Sequence, residues 1–464
     1  MKKLLSISLL TVVLLFGSCE KFLDCELCKD DPNNPTVTTP ALLLPVIELA
    51  TFSSHMGQLS RLSNLFTQTI AGTDFQFQQF AVYNIAAQDL NNEWNQLYAT
   101  GMINCQEMID LFGEGNPYYS GIARVYWAMN LGVAADLWGD VPFSEALLGR
   151  KGLLTAKYDP QEDVIQGIQS VLSDAITDLS MMPEDNLKLP GGEDFVYGGD
   201  ADAYLRIAHV LKARYAMRLS KKDASAASTN TLTHLNNAYA AGFSSTADDM
   251  NGVYGSAGNE LNQWYAFQTS RANYLKMGAN LVDLMNSISD PRLPFYATTD
   301  GGGGYSGTPI GSFDQTTSDL GPYFASPTSP SPMVTYVEAK FLEAEANMRL
   351  GNTQEAADAH NEAIMAHVEL VTGAPDPTFY VAEASETAGT ISLDKIMTHK
   401  YIANFTQIEV FNDWRRTGIP ALSPEPNANI SVIPRRLITV QDERVSNPSA
   451  NIVNDLTLPV WWDQ

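Results

Sequence analysis

The stretch from Tyr336 to Leu370, YVEAKFLEAEANMRLGNTQEAADAHNEAIMAHVEL, decides the fold class of this chain. Apolar and small residues recur every three to four positions on both sides of Gly351-Asn352, the pattern of two amphipathic helices joined by a tight turn. Ala344, Ala356 and Ala363 are small residues within this pattern, and small side chains let paired helices approach closely. We therefore predict a helix pair over this stretch.

The spacing of these small residues resembles a tetratricopeptide repeat. Ala344, Ala356, His360 and Ala363 follow one another at separations of twelve, four and three residues. His360 stands at a position that is usually aromatic in such repeats, so the repeat is a degenerate one.

Helical periodicity extends through most of the remaining chain. Apolar residues recur at helical spacing in Ile122 to Trp138, in Asp163 to Leu179 and in Ala203 to Leu219. From Pro45 onward the period is close to 3.6 rather than 2, which favours helices over strands. We therefore expect an all-α body over residues 45–464, built from helix pairs as a solenoid or bundle.

Two loop-rich insertions interrupt the helical pattern. Residues 244–262 are rich in Gly, Ser and Asn, and residues 297–332 contain the run Gly301 to Gly304 and the run Pro327 to Pro332. Long loops inside a compact protein are commonly functional. We expect a ligand surface, if there is one, to use these insertions.

The charge balance narrows the function classes. The 464 residues include 28 Lys and Arg against 53 Asp and Glu, a net charge of −25. Nucleic-acid binding is excluded as the default interpretation, because it requires a basic surface. With 45% hydrophobic residues the chain can also bury a large core, which excludes wholesale disorder. Only 17% of residues are charged, so Asn, Gln, Ser, Thr and aromatic residues must cover much of the surface.

The N-terminus predicts export and lipidation. Lys2-Lys3 precede the mostly apolar run Leu4 to Phe16, which is too short to span a bilayer because spanning requires about 20 residues. Gly17-Ser18 then precede Cys19, an arrangement that resembles a bacterial lipobox. We predict a signal peptide over residues 1–18 and lipidation of Cys19. Removal of the signal takes the net charge to −27.

A tether is predicted after Cys19. Residues 19–44 are first charged and then proline-rich, which disfavours regular helix. Cys25 and Cys28 form a CxxC pair, but Cys105 is the only further cysteine once Cys19 is lipidated, so a four-cysteine zinc site is not indicated. We expect a local disulfide or free thiols.

Several segments in sequence order resemble one family, the SusD/RagB-like outer-membrane lipoproteins, and within it the SusD-like branch. The segments are GSCEKFLD (17–24), DPNNPT (31–36), YWA (126–128), DLWGDVPF (136–143), DPRLP (290–294), EAKFLEAEA (338–346), DWRRTGIP (413–420) and IPRR (433–436). The resemblance implies four tetratricopeptide-like helix pairs with a variable loop region. It also implies a lipid-anchored protein of the cell surface that holds glycan and caps a SusC-like TonB-dependent barrel in the outer membrane.

Aromatic residues beside amides are the candidate ligand contacts, because sugars stack on aromatic faces and hydrogen-bond amides. One cluster alternates aromatic residues with Gln and alternatively supplies the core, and a second set lies in or beside the insertions. The candidates are Phe75, Phe77, Phe80 and Tyr83 in the cluster, and Trp264, Tyr305, Phe313 and Tyr323 in the second set. The family offers no transferable glycan motif, so these candidates rest on residue chemistry.

Catalytic and metal sites are not indicated. Glu338, Glu343 and Glu345 could suggest glycosidase carboxylates, but they lie in the repeat helix, where basic neighbours are natural partners. His360 and His367 share a helical face without an HExxH motif or a third ligand, so they are expected to pack. We predict no catalytic residue, metal or cofactor.

Other conspicuous residues are expected to be structural. Gly139 should end a helix in a left-handed cap, and Trp138 should pack in the core. Arg415 and Arg416 should lock a helix end against acidic neighbours.

The sequence alone leaves three functions open. The first is a surface glycan-binding lipoprotein that works with a TonB-dependent transporter. The alternative is a transporter lid or interaction protein for peptides or other nutrients, with little affinity for free glycan. The third is a secreted hydrolase, which two buried carboxyl groups facing a cleft would favour.

Overall fold

The computed structural model describes residues 38–464, so the predicted signal, Cys19, Cys25 and Cys28 lie outside the described residues. The fold is predominantly helical. The helices are α1 Pro40–Met56, α2 Gln58–Phe66, α3 Phe75–Ala81, α4 Asn91–Asn95, α5 Ile103–Phe112, α6 Pro117–Trp138, α7 Gln161–Leu179, α8 Ala201–Met217, α9 Ala224–Ala240, α10 Gln263–Ser270, α11 Ala279–Ser287, α12 Leu293–Tyr296, α13 Tyr336–Leu350, α14 Thr353–Thr372, α15 Pro377–Glu383, α16 Leu393–Ala403, α17 Glu409–Thr417 and α18 Gln441–Ser446. The strands are β1 Ile70–Gly72, β2 Met250–Gly252, β3 Leu275–Met277 and β4 Ser331–Val334, and a π-helical segment, Gln96–Met102, joins α4 to α5.

Consecutive helices pack as pairs, which confirms the predicted fold class. Helix α6 packs on α7, α8 on α9, and α13 on α14. The pairs also contact one another, since α7 packs on α8 and α9 on α13. Helix α1 adds a layer against the π-helical segment, α5 and α6.

The α13–α14 pair has the features that its sequence predicted. Gly351 ends α13 with φ +83°, in the left-handed conformation that glycine tolerates best. Ala344, Ala356 and Ala363 are fully buried between the helices. His360 is buried as well and packs edge-on against Phe341, so it fills the position that an aromatic residue usually holds.

Helix α6 ends where its sequence predicted, but with different cap geometry. Trp138 is buried and donates its indole N–H to the Ile438 carbonyl oxygen at 2.9 Å, which confirms its core role. Gly139 has φ +84° and ψ −115°, which lies outside the left-handed helical region. The Arg436 guanidinium donates to the Trp138 carbonyl oxygen, so the C-terminal segment supplies part of the cap that the turn itself does not.

Buried ion pairs connect the helix pairs. Arg214 on α8 pairs with Glu338 on α13 at 2.5 Å, and Arg416 on α17 pairs with Glu345 on α13. Glu343 accepts from Lys340 and from the Tyr239 hydroxyl. These contacts confirm that the carboxylates of α13 have basic or hydroxyl partners. Arg415 donates to the Asn412 side chain and the Arg435 carbonyl oxygen rather than to an acid.

Short strands join the two insertions to each other, and a second short ladder lies outside them. Strand β2, from the first insertion, pairs antiparallel with β4 at the end of the second. The Asn262 side chain donates to the Ser329 carbonyl oxygen at 2.9 Å and thereby joins the two insertions again. Strand β1 pairs antiparallel with β3, with Ile70 opposite Met277 and Gly72 opposite Leu275.

A buried acid pair lies between α1 and α8. Glu48 on α1 accepts a hydrogen bond from the Phe195 backbone N–H at 3.0 Å, and Asp194 accepts from the Tyr204 hydroxyl at 2.8 Å. Burial, together with the hydrogen bond to Asp194 and repulsion from its charge, raises the pKa of Glu48 to about 9. Glu48 is therefore protonated at neutral pH.

Glu48 should make stability fall as the pH rises. Because folding raises its pKa, its contribution is fully present below its ordinary pKa of 4.5 and is lost as the pH rises through about 9. Glu48→Gln remains neutral, so its advantage over the natural protein should grow with pH, by at most about 1.4 kcal/mol per pH unit. Urea unfolding at pH 5, 7 and 9 measures this difference, with Glu184→Gln as the exposed control. Parallel pH profiles for the Glu48→Gln variant and the natural chain would contradict the assignment.

Candidate functional site

The β1–β3 ladder brings together two aromatic residues that are distant in sequence. After Gly72 the pairing continues, because the Thr73 backbone N–H donates to the Tyr274 carbonyl oxygen at 3.0 Å. The Thr73 hydroxyl also donates to the Asn273 carbonyl oxygen at 2.6 Å. Phe75, two residues further on, consequently stacks on Tyr274, with ring centroids 4.9 Å apart and planes inclined by 18°.

Phe75 is held at the surface by the start of α3. Asp74 caps the helix and accepts from the Phe75 N–H at 2.9 Å, and Phe75 has φ +45°. The side chain is 64% exposed. A large aromatic ring at this exposure, backed by a second ring, provides a flat apolar face to solvent. We call Phe75 and Tyr274 the aromatic platform.

A groove lies against the same ladder. It is lined by residues of β1, the end of α3, the start of α11 and two loops: Ile70, Ala71, Ala81, Tyr83, Gln68, Asn280, Thr308, Pro309, Ile310, Ser312 and Glu425. Its polar lining consists of amide, hydroxyl and carboxyl groups, and its apolar lining is mainly aliphatic. Its free volume is about 40 Å³, so it can accept one polar group at the edge of a ligand rather than a whole sugar ring.

Hydrogen bonds fix the polar lining of the groove. Gln68 donates to the Ser423 carbonyl oxygen at 2.5 Å, and Asn280 donates to the Gln68 side-chain oxygen. Glu425 accepts from the Gly311 N–H at 2.9 Å, while its own backbone N–H donates to the Tyr83 hydroxyl. Burial raises the pKa of Tyr83 to about 12, so this phenol stays neutral. The groove is therefore largely pre-formed.

Part of the second insertion borders both the groove and the platform. The Thr308 N–H donates to the Met277 carbonyl oxygen at 2.8 Å, which fastens the loop to β3. Gln315 donates to the Asp74 carboxylate at 3.2 Å, next to Phe75. Ser312 lines the groove, and the half-buried Phe313 follows it. The second insertion therefore borders the candidate site, whereas no residue of the first insertion lines the groove.

The predicted aromatic residues separate into different environments. Phe77, Phe80 and Trp264 are at most 2% exposed, so they pack in the core and offer no surface to a ligand. Phe77 contacts both Phe80 and Phe267 edge-on, and this cluster supports the platform from below. The prediction that these three residues contact a ligand directly is therefore wrong, because their side chains are buried and a ligand cannot reach them.

Of the remaining candidates, Tyr83 is buried, and Tyr305 and Tyr323 are half-buried. Tyr83 is buried apart from its contribution to the groove. Tyr305 is half-buried, and its carbonyl oxygen accepts from the Asn286 side chain at 3.2 Å. Tyr323 packs against Phe324 at the wall of a different hollow, which Asp249 also lines. The structure thus brings Phe75, Tyr83 and Phe313 into one region and leaves Tyr323 apart.

Buried carboxyl groups do not form a catalytic pair at the groove. Burial raises the pKa of Asp249 to about 8, but this carboxylate accepts the Tyr336 backbone N–H at 2.7 Å and anchors the start of α13. Glu48 and Asp194 face the core and line none of the hollows described above. The arrangement at the groove is therefore suited to binding.

The histidines of α14 are packing residues. His360 lies against His399 with ring centroids 5.3 Å apart, and His367 contacts the Arg292 guanidinium at 2.9 Å through Nδ1. Among residues 38–464, no three His, Cys, Asp or Glu side chains converge as metal ligands would. In the same range, no helix combines the length and apolar character needed to cross a membrane.

Sequence reasoning missed several residues of this region. Tyr274, Asn280 and Gln315 carry no local signal that distinguishes them from other loop residues. Only the pairing of β1 with β3 places Tyr274 on Phe75, some 200 residues away in sequence.

Comparison with known proteins identifies the family. Residues 32–438 match the SusD-like family described as "Starch-binding associating with outer membrane". A SusD/RagB family protein from Bacteroides thetaiotaomicron has a similar structure, with 26% identity and a TM-score of 0.77 over 92% of this chain and 99% of that one.

Two further structures share the fold at lower identity. A chitin-binding SusD homolog from Flavobacterium johnsoniae is 21% identical, with a TM-score of 0.75 over 90% of this chain and 98% of that one. A structure titled as a chitin-binding protein is 23% identical, with a TM-score of 0.76 over 92% of this chain and 100% of that one. A search of the curated proteins found no match. The family consists of binding proteins rather than enzymes and is associated with the outer membrane, and the match across most of the sequence shows that this chain belongs to the SusD-like family.

Proposed function

We propose that the protein is a cell-surface glycan-binding lipoprotein that captures oligosaccharides or polysaccharides and caps a SusC-like TonB-dependent transporter for their import. The observation that carries the glycan assignment is the exposed, stacked Phe75–Tyr274 platform beside a groove lined with amide and hydroxyl groups. The starch-binding description of the family and the chitin-binding relatives support the same ligand class.

The chemistry of the region favours neutral sugar. A pyranose presents a C–H face that packs on an aromatic ring, and its equatorial hydroxyls reach polar groups at the ring edge. Gln315 lies beside Phe75 through its bond to Asp74, and Ser312 lies in the adjoining groove. A rigid platform of this kind loses little side-chain entropy when it binds.

Binding should depend on the platform. Phe75→Ala and Tyr274→Ala should each weaken binding to the glycan that the natural protein retains by about tenfold or more, because each stacked ring contributes on the order of 1–2 kcal/mol. Affinity electrophoresis against starch, chitin-derived and other soluble polysaccharides, followed by calorimetry on the best ligand, measures the effect.

Phe195→Ala is the matched control for this experiment, because Phe195 is also exposed, at 45%, but lies on α1's side of the molecule beside Glu48. Its affinity should stay within twofold of the natural value. Equal losses in all three variants would contradict a role for the platform. Retention by no polysaccharide, together with copurification of a large barrel, would instead support the alternative of a lid for peptides or other nutrients.

The anchor is the second part of the proposal. We infer a signal over residues 1–18, lipidation at Cys19 and a tether after it, and the outer-membrane association of the family supports this layout. The structure corrects the predicted boundary between the tether (19–44) and the helical body (45–464), because α1 already begins at Pro40 and buries Leu43 and Leu44. Cys19→Ala should move the protein from the membrane fraction to the soluble fraction, since the acyl chains supply the membrane affinity. Unchanged fractionation would contradict the lipidation assignment.

A further inference from the structure

Helix α1 exposes an apolar stripe where a surface helix normally exposes charge. Leu42, Val46 and Leu49 follow one another at helical spacing, and between 40% and 57% of each side chain is exposed. The one acidic residue of α1, Glu48, faces the core, and its one basic residue, His55, is buried too. The charged residues of α1 therefore face inward and its apolar residues face solvent, which is the reverse of an ordinary surface helix.

A second segment extends this stripe. Glu48 contacts Tyr126, and Ser54 contacts Asn130, so α1 and α6 run in the same direction and Leu42 lies near the start of α6. The loop before α8 crosses the same end of α6: the Leu187 N–H donates to the Gly115 carbonyl oxygen at 2.8 Å.

Further exposed apolar residues of this loop lie close by. Leu189 is held by a hydrogen bond from Tyr119 to its carbonyl oxygen, and Phe195 donates its backbone N–H to Glu48. Leu187 is 88% exposed. We define the apolar patch as Leu42, Val46, Leu49, Leu187, Leu189 and Phe195. Clustered exposed side chains of this size mark interaction sites rather than ordinary surface.

Acidic residues surround the patch. Exposed carboxylates lie on α5, in the turn after it and in the loop that carries Leu187: Asp110, Glu114, Glu184 and Asp185. The exposed cation in the same loop is Lys188. Two copies joined through this face would bring like charges together, and an anionic lipid surface would repel it. Charge complementarity therefore favours a protein partner with a basic rim.

The position of the patch limits where the partner can be. Helix α1 begins at Pro40, and the predicted anchor, Cys19, lies 21 residues before it. A fully extended chain of that length spans at most about 70 Å. The patch is therefore held within reach of the membrane surface.

We propose that the apolar patch docks onto a protein embedded in the same membrane, whose outward surface presents aliphatic or aromatic side chains flanked by Lys and Arg. This rests on the proposed function, in which a transporter barrel is the partner, and it assigns the surface that makes the contact. The aromatic platform lies on other elements, the start of α3 and the loop before β3, and shares no residue with the apolar patch.

Photo-cross-linking in intact cells tests the docking surface. A photoreactive amino acid replaces Val46 in the full-length lipidated chain, and mass spectrometry identifies the product. We expect one integral outer-membrane protein of the TonB-dependent class, with no such product from the same replacement at Val381, which is 76% exposed on α15. Cross-links to lipid, or to a second copy of this chain, would overturn the proposal.

A charge variant gives the second readout. Val46→Glu combined with Leu49→Glu should reduce the copurified barrel at least tenfold while glycan affinity stays within twofold, and Val381→Glu should change neither. Normal copurification by the double variant would overturn the docking surface but leave the proposed function intact. A natural chain that copurifies no barrel would remove the transporter partnership itself. Should the double variant fail to fold, the cross-link at position 46 decides.

Discussion

Replacing Arg416 with Met should lower the free energy of unfolding by about 4 kcal/mol, because it leaves the buried Glu345 carboxylate without its main partner and removes one of the two cations beside Asp413. The Arg416 guanidinium pairs with Glu345 on α13 at 2.6 Å and with Asp413 on its own helix at 2.8 Å. All three side chains are at least nine-tenths buried. Burial alone would raise the pKa of Asp413, but Lys400 and Arg416 hold it at about 2, so the carboxylate stays charged.

Arg349→Met is the matched control, because Arg349 pairs with the same Glu345 carboxylate at 2.8 Å but keeps 18% of its side chain exposed. A partly exposed pair of this kind contributes about 1 kcal/mol or less. Guanidinium unfolding of both variants at pH 7 measures the difference. Equal destabilisation by the two substitutions would show that burial of the ion pair between α13 and α17 does not increase its contribution to the free energy of unfolding.

Gly72→Ala should damage both stability and glycan binding. A Cβ atom at Gly72 would lie 2.0 Å from the Phe77 carbonyl oxygen, so α3 would have to move away from β1. Since the obstacle is backbone, side-chain repacking cannot relieve it, and we expect a loss of about 3 kcal/mol. Movement of α3 would also separate Phe75 from Tyr274, so the affinity for glycan should fall at least tenfold.

Gly301→Ala serves as the control for this substitution. Gly301 lies in the second insertion, and a Cβ atom there would meet no neighbour within 4 Å. Thermal unfolding and calorimetry on both variants separate the two effects. Natural affinity in a folded but destabilised Gly72→Ala protein would show that the platform does not depend on the junction between β1 and α3.

The helical body and the loops have different roles, which follow from these contacts. Packed helix pairs, joined by buried ion pairs such as Arg214–Glu338, provide a rigid body. The β1–β3 ladder and the segments next to it carry the aromatic platform and the groove. A pre-formed site on a rigid body loses less free energy to ordering when a flexible glycan binds.

The helices were largely predictable because their signals are local. The patterns ending at Trp138 and Leu179 give the C-terminal ends of α6 and α7 without correction. Gly351 marks the turn of the α13–α14 pair, since it adopts a conformation that other residues resist. The cap at Gly139 was not predicted correctly, because its geometry depends on Arg436, which lies far away in sequence.

The candidate site was only partly predictable. The sequence singles out Phe75 and Phe77 as equals, since both alternate with glutamine. The structure separates them, because two residues of helix rotate the side chain by about 200°, which leaves Phe75 outward and Phe77 in the core. Tyr274 escaped notice because its partner lies across a ladder rather than nearby in the chain.

By itself, the sequence determined the helical fold class, the acidic character and the family, because periodicity, composition and ordered motifs are properties of the chain alone. Tertiary structure alone decided which aromatic residues reach solvent, how the insertions meet the body, and that the outer face of α1 is apolar. The physical reason is that exposure and pairing are non-local: each depends on which distant segment covers a side chain, and contacts such as that of Gly72 with Leu275 form only when the chain folds.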